Sequence, residues 1–116
     1  MKIIHYKDAE GVKYPGDEAK GTVGRVLIGK ADGAANFCMR SFELPPGAKS
    51  GRHAHHWEHQ VFVHSGEGEI LHEGKWSRLG TGSVVFIPGG EEHQLRNAGQ
   101  SPFVFVCVIP SGVPEI

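Results

Sequence analysis

Glycine and proline interrupt this chain so often that little of it can form a helix. The sequence has 17 glycines and 7 prolines among 116 residues, and between Gly11 and Gly33 one of the two recurs every few positions. Inside a helix each such residue costs about 1–3 kcal/mol relative to alanine. The uninterrupted stretches are short, and several are rich in valine, isoleucine and phenylalanine, which favour strands. The chain is therefore predicted to be all-β.

Six stretches are predicted to be strands, and turn sequences separate them: 23–28, 37–44, 60–63, 69–72, 84–87 and 103–109. Several short strands at this spacing are typical of a β-sandwich or barrel. A chain of 116 residues has the size of one domain, and no linker or repeat divides it. We therefore expect a single domain over residues 1–116.

Charge, hydropathy and cysteine content exclude several classes of partner. Lys and Arg number 12 against 13 Asp and Glu, so no basic surface is expected to attract nucleic acid or an anionic membrane. No apolar run approaches the ~18 residues of a membrane-spanning helix, and the first residues are too polar for a signal peptide. Cys38 and Cys107 are expected to be free buried thiols rather than a disulfide. We expect a cytoplasmic protein.

Two of the predicted strands, 84–87 and 103–109, are apolar on both faces. A strand with one face in water usually alternates apolar and polar residues, so both faces of these strands should be covered. In so small a protein a second copy of the chain could provide the outer cover. We therefore expect a homodimer.

Histidine is the most unusual residue type, since 5 of the 8 histidines lie between residues 53 and 64. His53, His55 and His59 share one parity, so in an extended chain their side chains leave the same face. On a helix His53 and His55 would point about 200° apart, and the HExxH order of helical zinc proteases is absent. Neutral imidazole is a common ligand of transition metals. The pattern predicts a metal site on an extended segment, with an incidental metal-binding patch as the alternative.

A second pattern consists of Gly82, Pro88, Gly90, His93 and Asn97. It is typical of a strand, a tight turn and a returning strand. The proline can end a strand because it needs no ladder N–H, and Gly90 can adopt a positive φ. His93 would then lie on the returning strand, and Asn97 suits the turn that follows.

Together the two patterns resemble the motifs of the cupin superfamily, whose members are small jelly-roll β-barrels. The second family motif, at residues 82–97, matches at all five positions. The first, at residues 47–66, matches at Gly47, His53, His55 and Gly66. The family's glutamate in that motif is replaced by His59. The resemblance implies a single-domain cupin jelly-roll barrel, similar to the small four-histidine members that bind manganese.

This resemblance implies one divalent transition metal per chain, octahedral in such relatives, with two adjacent water sites. The implied ligands are His53, His55, His59 and His93. Manganese is expected first, and iron, zinc, nickel and copper are the alternatives. A neutral ring in place of a carboxylate leaves the site one unit more positive, which favours lower oxidation states and makes bound water more acidic.

A substrate pocket is expected beside the metal, among inward-facing strand residues. The candidates are Phe37, Met39, Arg40, Phe105, Cys107 and Ile109. An apolar cavity with one cation suits a small, mostly apolar substrate that chelates through oxygen. Ordinary barrel packing is the alternative for the aromatic residues, and a surface position is the alternative for Arg40. His56 and His64, of opposite parity, are expected to face outward.

The expected function is that of a metal-dependent oxidoreductase of the oxygenase type, acting on a small organic molecule. A first alternative is a non-redox cyclase, isomerase or lyase, similar to the polyketide cyclases among four-histidine cupins, in which the metal polarises a carbonyl. A second alternative is a non-enzymatic module that binds a small molecule or stores the metal.

Overall fold

The computed structural model describes residues 1–116 and consists mainly of nine β-strands. The strands are β1 (Val12–Lys13), β2 (Val23–Ile28), β3 (Phe37–Leu44), β4 (His59–Ser65), β5 (Gly68–His72), β6 (Lys75–Leu79), β7 (Val84–Ile87), β8 (Gln94–Asn97) and β9 (Phe103–Pro110). The only helical segments are 3₁₀ turns at Tyr6–Asp8 and Lys30–Asp32. Neither turn has the length and apolarity with which a helix crosses a bilayer.

All six predicted strands are present, and three of them, β2, β3 and β7, have the predicted bounds. The composition did not identify β6, because Lys75–Leu79 neither alternates regularly between polar and apolar residues nor contains a β-branched residue. Its pairing comes from the hairpin with β5, whose turn residues Glu73 and Gly74 both have positive φ. Positive φ at both central residues is the geometry that joins two antiparallel strands most tightly.

Two antiparallel sheets form a jelly roll, which confirms the predicted all-β fold. The larger sheet has the order β1-β2-β3-β9-β4-β7, and the smaller has the order β6-β5-β8. One hydrophobic cluster joins them, with Val63 and Phe103 of the larger sheet and Ile70 and Leu95 of the smaller sheet among its members. Cys38 and Cys107 are free thiols in this cluster, as predicted.

The turn between β7 and β8 positions the second motif. Pro88 follows directly after β7, and Gly90 has a φ of +84°, the positive value that glycine was expected to supply there. His93 follows three residues after Gly90, immediately before β8. The tight turn therefore returns the chain so that His93 faces the first motif.

Asn97, the last residue of the second motif, joins the end of β8 to the end of β3 and to the loop between β8 and β9. Its side-chain Nδ2 donates to the carbonyl oxygens of Leu44 and Ser101, both at 2.8 Å, and its Oδ1 accepts from the N–H of Gly99 at 2.8 Å. The residue is buried. Both N–H groups of the side-chain amide and its oxygen are therefore paired with backbone groups.

The outward side of the larger sheet carries a mainly apolar surface, in which Gln60 is a polar residue. Strand register places Ile28, Met39, Val108, Gln60 and Phe86 side by side across five adjacent strands. The next row contains Phe62, Val84 and Val106. We call this surface the outer apolar face; it consists of Ile28, Phe37, Met39, Phe62, Val84, Phe86, Val106 and Val108. Its most exposed members retain more than half of their surface in water.

We expect Asn97→Ala to lower the free energy of unfolding by about 3 kcal/mol, because it leaves two carbonyls and one N–H without partners. Urea unfolding followed by far-UV circular dichroism measures the change. Asn36→Ala, at an exposed position, is the matched control and should leave the midpoint unchanged. Equal midpoints for the two variants would contradict the role given to Asn97.

Candidate metal centre and cavity

The histidines of the first motif lie mainly on a loop rather than along one strand. His53 forms a single bridge to His93, and His59 is the first residue of β4, but the chain bends at His56 and Trp57 between them. The interpretation of 53–59 as one extended segment is therefore wrong. The common direction of the three histidines comes from the fold and not from strand parity alone.

Contacts with the β7–β8 turn hold this loop in place. The N–H of Gly90 donates to the carbonyl of His55. A Cβ at Gly89 would overlap the carbonyl oxygen of His56, so only glycine allows this approach. The Trp57 ring stacks on the His55 ring, with centroids 4.2 Å apart and planes 8° from parallel. These contacts fix the orientation of the His55 imidazole.

Three of the predicted ligands come together as a metal-binding cluster. His53, His55 and His93 each offer a ring nitrogen, and the three nitrogens lie within 4.8 Å of one another. His59 lies outside that group, although its ring centroid is 5.0 Å from that of His93 and 5.4 Å from that of His55. The structure therefore has a three-histidine cluster with a fourth histidine at its border.

Hydrogen bonds at Nδ1 leave Nε2 available on two of these rings. Nδ1 of His93 is 2.9 Å from the carbonyl oxygen of Glu91, to which it donates as N–H. Nδ1 of His59 is 3.4 Å from Sγ of Cys107. Nε2 of His59 is buried and has no hydrogen-bond partner in the protein. A buried nitrogen of this kind is costly unless something binds it, and it fits the donor set of a metal.

The surroundings of His53, His55 and His59 favour the neutral imidazole, which is the form that binds metal. Burial, followed by the neighbouring His93, lowers the pKa of His59 to about 3. Burial and the neighbouring His55 lower the pKa of His53 to about 4. The pKa of His55 is lowered by the same effect of burial and by His93. The positive charge of Arg40 contributes to all three shifts.

A cavity of about 320 Å³ opens beside the histidines, between the two sheets. Of the six residues expected to form a pocket, Arg40, Phe105 and Cys107 line it. Ile109 points to the same side of β9 but is fully buried in the core and does not reach the cavity. The cavity wall is otherwise largely apolar, with Phe42, Leu44, Val61, Ile87 and Leu95 among its residues.

The remaining two expected pocket residues, Phe37 and Met39, lie on the outer apolar face. Successive side chains on a strand alternate between faces, and Arg40 on β3 points inward, so both residues point outward. They line a separate shallow groove of about 290 Å³ instead. His56 and His64 are exposed, as expected.

Sequence reasoning did not identify several cavity residues, namely Tyr14, Thr22, Trp57, Pro114 and Ile116. Trp57 could have been found, because an aromatic residue between two candidate ligands often packs on one of them. The others come from segments far from both motifs, so only the folded chain brings them to the cavity. Glu91 contributes its backbone carbonyl, and Glu92 pairs with Arg52 at the surface, so neither carboxylate orients an imidazole.

We expect the metal-free protein to lose stability as the pH falls from 6.5 towards 4. The folded-state pKa values of His59 and His53 lie below the ordinary value of 6.5, so the unfolded chain binds protons first in this range. His59 should contribute most because it is the more deeply buried of the two. Urea midpoints in a chelating buffer at several pH values measure the effect. His59→Gln should flatten the dependence and His64→Gln should not; an identical slope in both variants would contradict the prediction.

Comparison with known proteins gives consistent matches. The family described as "Cupin domain" matches residues 40–109, which include both histidine motifs up to Asn97. A curated relative, the oxalate-binding protein of Thermotoga maritima, is 35% identical over 68 residues, which is 58% of this chain and 56% of that protein. The chain thus spans little more than half the length of this relative.

Solved structures agree with this match. The polyketide cyclase RemF from Streptomyces resistomycificus has a TM-score of 0.89 and 32% identity, and the match covers 98% of this chain and 82% of that chain. A sugar phosphate isomerase of the cupin superfamily from Silicibacter pomeroyi has a TM-score of 0.79 and 27% identity, with coverage of 94% and 75%. Because the family match spans more than half of the chain and the jelly roll is shared, this protein belongs to the cupin superfamily.

Proposed function

We propose that this protein is a metal-dependent enzyme that acts on a small organic molecule through one mononuclear centre. The proposed ligands are His53, His55, His59 and His93. The observation that carries the proposal is the buried, unpartnered Nε2 of His59 at the border of the three-histidine cluster. With His59 included, every donor is a neutral imidazole.

The donor set restricts the metal without selecting one. Imidazole suits zinc, copper, iron and nickel, and affinity alone favours copper and zinc over manganese and iron. Manganese is our first proposal, on the resemblance to four-histidine members of the family. A site built only from neutral ligands leaves the charge of the cation undiminished, which strengthens its pull on a substrate oxygen.

The reaction we propose first is a non-redox one, such as a cyclisation or isomerisation of a carbonyl compound. The similarity to the polyketide cyclase RemF over 98% of the chain supports it. When bound, a divalent ion supplies Lewis acidity towards a carbonyl or enol oxygen. The apolar wall excludes water from the reacting carbon atoms. Burial raises the pKa of Tyr14, so its phenol stays protonated and can donate a hydrogen bond to the substrate.

An oxygenase-type oxidoreductase is the second candidate. The absence of a carboxylate among the proposed ligands supports it, because neutral donors favour the divalent state of manganese or iron over higher states. The cavity beside the histidines has room for a small carbon substrate in either case. A protein that binds metal and ligand without turnover is the third possible outcome.

The metal centre is tested first by elemental analysis of protein purified without a histidine tag. We expect about one transition metal ion per chain in the wild type, and none in the variant His53→Ala with His55→Ala. His59→Glu should retain the metal, because a carboxylate can replace the ring. The exposed pair His56→Ala with His64→Ala is the control and should keep full metal content. Unchanged metal in the first double variant would defeat the assignment.

The reaction class is tested by reconstituting the metal-free protein with zinc, manganese, iron, nickel or copper in turn. Each form is screened against poly-β-ketones, diketones, catechols and aryl alkenes, with oxygen uptake recorded. Turnover with zinc and without oxygen uptake would support the non-redox reaction. Turnover only with manganese or iron, accompanied by oxygen uptake, would support the oxygenase. A metal-loaded protein inactive towards every substrate would favour a binding module.

We also propose that two copies of the chain associate through the outer apolar face. Its eight residues include no charge, and Phe37, Phe62, Val84 and Phe86 are each more than half exposed, which is typical of an apolar patch that binds a partner. Because none of its eight residues is charged and Gln60 beside them is neutral, the face can pair with its own copy without leaving one of its own charges buried and unpartnered.

Phe62→Glu with Phe86→Glu should convert a dimer into a monomer, because two carboxylates would then be buried at the interface. Light scattering after size exclusion measures the mass. Glu67→Gln with Glu73→Gln, at exposed positions of the β4–β5 and β5–β6 turns, is the control and should remain dimeric. A monomeric wild-type protein would disprove the proposed association.

A cytoplasmic location is our remaining proposal. Cys38 and Cys107 are both free and buried, and unpaired thiols are typical of proteins in a reducing compartment.

A further inference from the structure

Four buried side-chain atoms lack a hydrogen-bond partner in the protein, and all four belong to residues that line the cavity. They are Thr22 Oγ1, Arg40 Nε, Trp57 Nε1 and His59 Nε2. Buried polar groups in folded proteins are almost always paired, and each exception costs about 1–3 kcal/mol. Their concentration around one cavity indicates a ligand that completes their hydrogen bonds.

The chemistry of these atoms defines what that ligand must offer. His59 Nε2 belongs to the metal centre in the proposed function. Of the other three, Arg40 Nε and Trp57 Nε1 can only donate, and the Thr22 hydroxyl can donate as well as accept. The ligand must therefore carry several hydrogen-bond acceptors.

The charge of Arg40 adds a further constraint. Its Nη1 donates to the backbone carbonyl of Glu115 at 3.2 Å, and its Nη2 donates to Sγ of Cys107 at 3.1 Å. The guanidinium carbon lies 5.0 Å from the centroid of the Phe42 ring. None of these partners is an anion, and none of the four ion pairs of the protein includes Arg40. A guanidinium turned into a barrel without a carboxylate partner is unusual.

Arg40 lies on the same cavity wall as the histidines: its Nη2 is 3.1 Å from Sγ of Cys107, and Nδ1 of His59 is 3.4 Å from the same sulfur. No aspartate or glutamate side chain lines this cavity, so no carboxylate side chain there offsets the positive charge of Arg40. A cation at the histidines would add to this field. The cavity is therefore electrostatically positive although its wall is apolar.

We propose that the cavity binds an organic anion, a carboxylate or an enolate with an apolar carbon body. The Nε–H edge of Arg40 receives the negative oxygen, Thr22 and Trp57 bond to further oxygens, and the carbon body lies against Phe42 and Phe105. As the substrate class of the metal centre this assignment rests on the proposed function, but anion binding at Arg40 does not require the metal.

Isothermal titration of the metal-free protein at pH 7.5 tests the proposal with benzoate and its neutral analogue benzamide. Apart from the histidines, Arg40 is the only residue with a charged side chain that lines the cavity. We expect benzoate to bind about tenfold or more tightly than benzamide, as a charged hydrogen bond of about 1.5–3 kcal/mol predicts. Equal affinities, or no binding of benzoate, would overturn the proposal.

Single substitutions test whether Arg40 causes the preference for benzoate over benzamide. Arg40→Gln should remove it, and Arg78→Gln, the same change at an exposed site, should leave it intact. If Arg40→Gln does not fold, Thr22→Val provides the second test. It keeps the shape of the side chain, removes the hydroxyl and should weaken the binding of benzoate several-fold. A preference that survives Arg40→Gln would count against the assignment. A wild-type protein that prefers benzoate but binds no metal would disprove the proposed function alone. A protein that binds the metal but shows no preference for benzoate would disprove only this inference.

Discussion

The site depends on one backbone contact, the bridge between His53 and His93. The two residues exchange N–H···O=C bonds of 3.2 Å and 3.0 Å. This pairing joins the loop of the first motif to the turn of the second, and it sets the two imidazoles edge to face with centroids 5.1 Å apart. This backbone contact fixes the separation of the two residues, and the packing and hydrogen bonds around their side chains then orient the imidazoles, as a metal centre requires.

The rest of the centre is arranged around that bridge by packing. Glycine at position 89 lets the β7–β8 turn approach the His56 carbonyl, and Trp57 lies flat on the His55 ring. Cys107 contacts both His59 and Arg40, so one small sulfur side chain connects the metal-binding side of the cavity with its cationic side. The same groups therefore serve the fold and the chemistry, and a substitution at any of them should affect both.

The two surfaces of the larger sheet divide the molecule's roles. The inward face carries Arg40, Phe105 and Cys107 beside the histidines, and the outward face carries the apolar rows that we assign to a second copy. This division explains why β9 is apolar on both sides. It also explains why Phe37 and Met39 do not line the cavity, since alternation along β3 puts them on the outward face. Ile109 points inward but lies too deep in the core to reach the cavity.

The sequence alone determined the strand-rich fold and the four candidate ligands. Frequent glycine and proline exclude long helices. Within each motif, residues only a few positions apart form the local turn, and the spacing of the motif can therefore be recognised in the sequence. Only the tertiary structure decided which side chains surround the cavity. Tyr14, Thr22 and the chain end reach it from remote segments, and the bend at Trp57 replaces the extended course that parity suggested. Such features depend on contacts between distant residues, and no periodicity along the chain encodes them.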